Sequence, residues 1–256
     1  MKASYHTHTS RCHHAVGTEE EYIEKAIAEG LEILGFSDHA PMPYKNGYVA
    51  YYKMHPDEAG EYFSSLLALK EKYKDKIDIK IGFETEYYPS LWEECLDFWR
   101  PFPIDYLILG QHFIPEEKRV HTMSPVNNES DVSTYVDISV KAMNTGIITY
   151  VAHPDVINYV GGDEAFYLCE MRRLISEAVR LEIPLEYNLL GMSLGRGYPN
   201  PIFWQEVAKM GASVILGCDS HAPERVADKG EIEKAENYLR TLGITPLDKI
   251  NLIKPF

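Results

Sequence analysis

The most constraining feature of this chain is an alternation. Short apolar or β-branched runs are each followed by a longer stretch with helical spacing. The runs occupy residues 3–5, 33–36, 77–83, 106–109, 147–151, 184–187 and 213–216. Several are almost wholly apolar, as strands of a parallel sheet are when both faces are covered. Between them, Thr18 and Glu21 form a capping-box pattern, Tyr22, Ile23, Ala26 and Ile27 share one helical face, and Gly30 can end that helix. Ser130 is placed to cap a second helix through Val132, Tyr135, Val136 and Met143, with Gly146 beyond its end. Two more helices are expected near 163–181 (Leu174, Ala178, Leu181) and 230–242 (Ile232, Ala235, Leu239). Seven strand–helix units predict an α/β fold with a parallel sheet and right-handed crossovers, either closed as a barrel or open and doubly wound. No GxGxxG follows the first run, so the open dinucleotide-binding form lacks its signature.

Barrels of roughly 250 residues fold as one unit, so a single domain over 1–256 is expected. An apolar share of 45% supplies a core and excludes intrinsic disorder. The net charge of -14 argues against a general nucleic-acid binder or a polybasic membrane anchor. No apolar run approaches the roughly 20 residues of a membrane span. The chain begins Met1-Lys2-Ala3-Ser4-Tyr5-His6, with no apolar signal segment, and its cysteines at 12, 95, 169 and 218 form no CxxC pair. Reduced thiols and a cytoplasmic location are the expectation.

The chemistry gathers at the carboxyl ends of the runs. The first run is followed by His6, His8 and the pair His13-His14, and the second by Asp38-His39. The third ends at Glu84, with Glu86 two residues on; His112, His153 and then Asp219 with His221 follow the fourth, fifth and seventh. In parallel α/β folds, ligands collect outside these strand ends, so residues more than 200 positions apart would converge. Singly, each has a plain reading: a hydrogen-bonded core histidine, a turn aspartate, a strand-edge glutamate. Jointly they point to a metal centre. Imidazole and carboxylate without thiolate suit Zn²⁺, Mn²⁺ or Fe²⁺ in a catalytic site. The donors exceed one tetrahedral shell, so two to three ions are expected, able to activate water and clamp a phosphoryl group. Such ions would also make a cationic pocket on an acidic protein.

His6-Thr7-His8, Ser37-Asp38-His39, Gly82-Phe83-Glu84, Gly110-Gln111-His112, Ala152-His153-Pro154 and Asp219-Ser220-His221 resemble, in order and spacing, the polymerase-and-histidinol-phosphatase (PHP) family. Cys12-His13-His14-Ala15, Asp38-His39-Ala40-Pro41-Met42-Pro43 and Asp219-Ser220-His221-Ala222-Pro223-Glu224 look most like its monofunctional histidinol-phosphate phosphatases. The resemblance implies a distorted seven-stranded (β/α) TIM-like barrel and a trinuclear site. It assigns His6, His8, Glu84 and Asp219 to a first metal. A second would share Glu84 and take His112 and His153, and a third would take His14, His39 and His221. His14 is then preferred over His13, and Glu84 over Glu86. It also implies in-line attack of a water-derived nucleophile on phosphorus, with Asp219 or water protonating the leaving alkoxide. The family's Asn-x-x-Gly-Leu-Arg pattern, whose arginine binds phosphate, is altered here: Ser193 follows Asn188-Leu189-Leu190-Gly191-Met192, and Arg196 is the nearest arginine. Arg196 is therefore either the phosphate ligand or a turn residue, and Tyr44, Tyr48, Tyr51 and Tyr52 either wall a substrate ring or pack together.

The leading expectation is a metal-dependent phosphomonoesterase acting on L-histidinol phosphate in histidine biosynthesis. The alternatives are the same chemistry on another small phosphate ester or nucleotide, a 3′ exonuclease module, and a non-catalytic metal-stabilised interaction domain. The acidic charge weighs against the exonuclease module, and a donor set larger than a closed structural site needs weighs against the interaction domain. The sequence leaves the oligomeric state open.

Overall fold

In the computed structural model, which describes residues 1–45 and 47–256, all seven apolar runs are parallel strands of one sheet. Along the chain the strands are β1 (Ala3–Ser4), β2 (Ile33–His39), β3 (Asp78–Thr85), β4 (Tyr106–Leu109), a hairpin β5 (Phe113–Ile114) and β6 (Val120–His121), then β7 (Ile148–Val151), β8 (Leu185–Asn188) and β9 (Val214–Gly217). The hairpin stands apart as a small antiparallel sheet, and the barrel strands neighbour one another in chain order. Among the described residues, the edge strands β1 and β9 meet through an isolated bridge between Thr7 and Ser220. The His8 amide donates to the Ser220 carbonyl at 2.9 Å. The fold is a nearly closed, distorted (β/α)7 barrel, and the seam is drawn together at the end that carries the histidines.

The helices are α1 (Glu19–Glu29), α2 (Ala59–Tyr73), α3 (Trp92–Trp99), α4 (Glu129–Met143), α5 (Glu164–Arg180), α6 (Leu189–Leu194), α7 (Pro201–Met210) and α8 (Lys229–Thr241). α1 has the expected ends: Thr18 and Glu21 cap each other's backbone reciprocally, and Gly30 closes the helix at φ 87°. α4 corrects one expectation. Its cap is Asn128, whose side chain accepts from the Ser130 amide, so Ser130 lies inside the first turn. Asn128 intercepts an amide that the helix itself cannot satisfy, and the helix starts earlier. α5 matches, with Asp163 as its cap, and α8 starts at Lys229 under an Asp228 cap.

The main core lies between the helices and the sheet and includes Trp99, Trp204, Phe83 and Phe203. A second, smaller cluster fills the barrel interior with Tyr5, Tyr106, Ile108, Tyr150 and Ile215. The Tyr106 hydroxyl is satisfied there by the Tyr5 carbonyl at 2.7 Å. The C-terminal tail packs Ile250 and Leu252 against this inner cluster, and its Leu247 amide donates to Val214 at the start of β9. One mouth of the barrel is thus plugged, and the other is left for chemistry. Among the described residues, no helix is long and apolar enough to cross a membrane.

Candidate metal centre

The strand ends bring together all nine residues singled out as donors. β2 and β3 pair in parallel so that His39 lies directly beside Glu84. His6 and His8 follow β1, His112 follows β4, His153 follows β7, and Asp219 and His221 follow β9. His14, from the loop after β1, reaches the same place: its ring centroid is 4.6 Å from that of His221 and 5.4 Å from that of His39. Six of them, His14, His39, Glu84, His112, Asp219 and His221, line a cleft of about 930 Å³.

Glu84 is the centre of the cluster. Its Oε1 faces His153 Nε2 at 2.9 Å, His6 Nε2 at 3.5 Å and His112 Nε2 at 3.7 Å. Its Oε2 faces His39 Nδ1 at 2.8 Å and His8 Nε2 at 3.6 Å. His8 Nε2 is also 3.1 Å from Asp219 Oδ1. Donors roughly 2.0–2.1 Å from a tetrahedral ion stand about 3.3 Å apart, and these separations bracket that value. Gly110 makes the arrangement possible, because a Cβ there would overlap the Glu84 carboxylate.

The histidines are held for coordination. His6 Nδ1 is bound to Glu186 Oε2 at 2.8 Å, and His8 Nδ1 lies 3.3 Å from Asp38 Oδ1. Each carboxylate accepts a hydrogen bond from Nδ1–H, which fixes the ring and directs Nε2 inward. Among the described residues, both Nε2 atoms and Glu84 Oε2 are buried without a well-formed hydrogen bond, and the near neighbours of His8 Nε2 and Glu84 Oε2 are the other donors of the cluster, Asp219 and His39. Orphaned polar atoms so deep in a protein are costly unless something electropositive sits among them. His14 and His221 make the same point. Their Nδ1 atoms contact the carbonyls of Cys12 (2.7 Å) and Asp219 (3.0 Å), which only accept, so each Nδ1 carries the hydrogen. Their Nε2 lone pairs then face each other at 3.0 Å. A shared proton is disfavoured: burial, with the neighbouring His8 charge, pushes His221 down to about 3, and burial also lowers His14. A cation between the two rings resolves the repulsion. The donor set therefore fits divalent metal ions.

The carboxylates are ionised despite burial, which acts to raise both. Surrounding imidazoles, His112 and His39 foremost, hold Glu84 well below the usual carboxylate range, and His6 and His8 do the same for Asp219. His153 and Asp219 sit at φ 29° and 49°, left-handed backbone that non-glycine residues seldom adopt, and both lie in this centre. Among the groups of ligand atoms that lie within 4.8 Å of one another are His6, His8 and Asp219; His6, Glu84 and His153; His8, His39 and Glu84; and His14, His39 and His221.

The residues left open by sequence separate cleanly. Glu86 touches only the edge of the cluster, its Oε1 3.9 Å from His112 Nδ1. Its Oε1 accepts from the His112 and Phe113 amides at 2.9 Å each, and its Oε2 pairs with buried Lys53. His13 turns toward His55 and Glu58. Cys12 comes within ligand distance of His8 and His221, but burial and Asp38 push its thiol far up, and it stays protonated. All four cysteines are free, as expected. Arg196 lines the cleft on an exposed turn between Gly195 and Gly197. The tyrosines split: Tyr51 and Tyr52 line the cleft, whereas Tyr44 and Tyr48 pack against each other, tilted, with centroids 5.1 Å apart, and the Tyr44 hydroxyl donates to Glu117. Sequence reading missed Glu186 and the orienting role of Asp38. A charged residue inside the buried strand β8 was the available signal for Glu186.

A family model described as PHP domain matches residues 4–183. A probable histidinol-phosphatase of Deinococcus radiodurans is 25% identical over 86% of this chain and 86% of its own length. A probable histidinol-phosphatase of Schizosaccharomyces pombe is 26% identical over 96% of this chain and 89% of its own. Among solved structures, the histidinol phosphate phosphatase of Lactococcus lactis, crystallised with zinc, L-histidinol and phosphate, superposes with a TM-score of 0.74. It is 23% identical and covers 97% of this chain and 98% of its own, a likeness of fold.

Proposed function

The chain belongs to the PHP domain family, and from that premise we propose that it is a phosphomonoesterase that hydrolyses L-histidinol phosphate to L-histidinol and phosphate in histidine biosynthesis. Residues 1–256 form the one catalytic domain, and the cytoplasm is its place of work. The observation that carries this reading is the ring of inward-facing, unpartnered donor atoms around Glu84. The relatives named as histidinol-phosphatases along most of their length support the choice of substrate. The nine residues hold two to three ions of zinc, manganese or iron: His6, His8, Glu84 and Asp219; Glu84, His112 and His153; and His14, His39 and His221.

Bound there, divalent ions supply Lewis acidity toward phosphoryl oxygens and acidify water. The rest falls to the chain. Glu186 and Asp38 lock the rings of His6 and His8, so little reorganisation is needed as charge moves. Asp219, ionised and tethered by Asn188 Nδ2 at 3.1 Å, accepts the proton of the attacking water. As the P–O ester bond breaks, it returns that proton to the leaving alkoxide. An alkoxide is far more basic than any carboxylate, so the second transfer runs downhill. Arg196 meets phosphoryl oxygens at the rim, and Tyr51, Tyr52 and Phe113 offer aromatic faces to an imidazole. A panel of phosphate esters assayed with the metal-loaded protein tests the reading. L-Histidinol phosphate should give the highest kcat/KM; a sugar phosphate or nucleotide turned over more efficiently would replace it as the substrate.

A further inference from the structure

Arg11, Arg172, Arg173 and Arg180 each pair with a carboxylate. Arg225 has no carboxylate in ion-pair range among the described residues, although the chain carries 39 of them and Glu224 shares the same cleft wall. It is not a stray surface cation. It ends the single helical turn Pro223–Arg225 that follows the donors Asp219 and His221. That turn is fixed by hydrogen bonds from the Arg225 amide to the Ala222 carbonyl and from the Val226 amide to the Pro223 carbonyl. The buried Val226 and Ala227 anchor it from below. Its Nη1 donates to Ser193 Oγ at 3.3 Å, and that hydroxyl donates to the Leu190 carbonyl at 3.1 Å. One edge of the guanidinium is thereby set by a neutral partner, and the other N–H groups stay uncommitted. A half-buried arginine kept from carboxylates at the mouth of a centre that handles phosphate is a prepared anion site.

We propose that Arg225 is a phosphate-binding residue, oriented by Ser193, whose guanidinium takes the phosphoryl oxygens turned away from the metal donors. The proposal rests on the phosphatase reading and adds to Arg196 a cation from the loop after β9.

The test is calorimetric titration of inorganic phosphate into metal-loaded full-length protein: wild type, Arg225→Ala, Arg225→Lys and, as a control for net charge, Arg173→Ala. Arg225→Ala should bind phosphate about 10-fold or more weakly, with metal content unchanged, because a charge-assisted fork is lost. Arg225→Lys should recover only part of the affinity, since an ammonium cannot copy bidentate geometry. Phosphate affinity of Arg225→Ala equal to that of Arg173→Ala, loss of metal from Arg225→Ala, or no phosphate binding by the wild type would each overturn the proposal. A wild type that binds phosphate through Arg225 yet hydrolyses no histidinol phosphate would remove the substrate assignment and leave Arg225 standing.

Discussion

Glu84 and Glu86 are one strand repeat apart and share a side of the chain, yet their surroundings give them different work. Glu84 faces five imidazoles; Glu86 holds two backbone amides and the ammonium of Lys53. Glu84→Gln should therefore strip metal and lower kcat by orders of magnitude, because one amide cannot serve two shells. Glu86→Gln should keep its metal but lose roughly 3 kcal/mol of stability, as a buried ion pair is broken. Metal analysis and thermal melts of the two variants check this; metal loss from Glu86→Gln alone would reverse the roles. Motif spacing made the choice of Glu84 legible. The work of Glu86 was not legible, because it depends on Lys53, 33 positions away, and on amides of a loop whose path the sequence does not specify.

At the scale of elements, the strands were legible because buried parallel strands are apolar on both faces, and α1 because its cap, apolar face and terminal glycine agree. α2 was missed, and Glu58 at its N-cap position makes no side-chain capping bond. α7 carried its own signals, an Asn200 cap, Pro201 in the first turn and Gly211 at its end. The β5–β6 hairpin was missed because two-residue strands leave no periodicity to read. The hairpin matters: it places Phe113 and His121 on the cleft, with Tyr52 5.6 Å from Phe113. Lys53 pins the segment carrying Tyr52 by pairing with Glu86 and with Glu117 at 2.8 Å. Lys53→Met should loosen that wall. KM for histidinol phosphate should rise about 3- to 10-fold while metal content holds, the pattern of lost ground-state binding. An unchanged KM would mean that Tyr52 does not meet the substrate.

For the whole molecule, closure and chemistry coincide: the bridge that joins β1 to β9 lies between the His6/His8 pair and Asp219/His221. Drawing the seam together assembles the metal donors, so metal and fold should stabilise each other. Without ions, the innermost histidines hold protons, whereas His14, His39, His112 and His221 are pushed toward the neutral form by burial. Burial acts to lower His8, yet Asp219 and Asp38 raise it to about 9, and His6 is carried well above its ordinary range by Glu186, Asp219 and Glu84. Ions must displace those protons, so metal affinity should tighten as pH rises from about 6 to 8, with protons released on loading. Calorimetry in buffers of different ionisation enthalpy measures that release, and pH-independent affinity would contradict the protonated apo site.

The most direct test of the account is the metal content of the protein purified without chelator. Elemental analysis should find two to three divalent ions per chain. Fewer than about one would contradict the multinuclear centre, since activating water and clamping a phosphoryl group together require at least a pair.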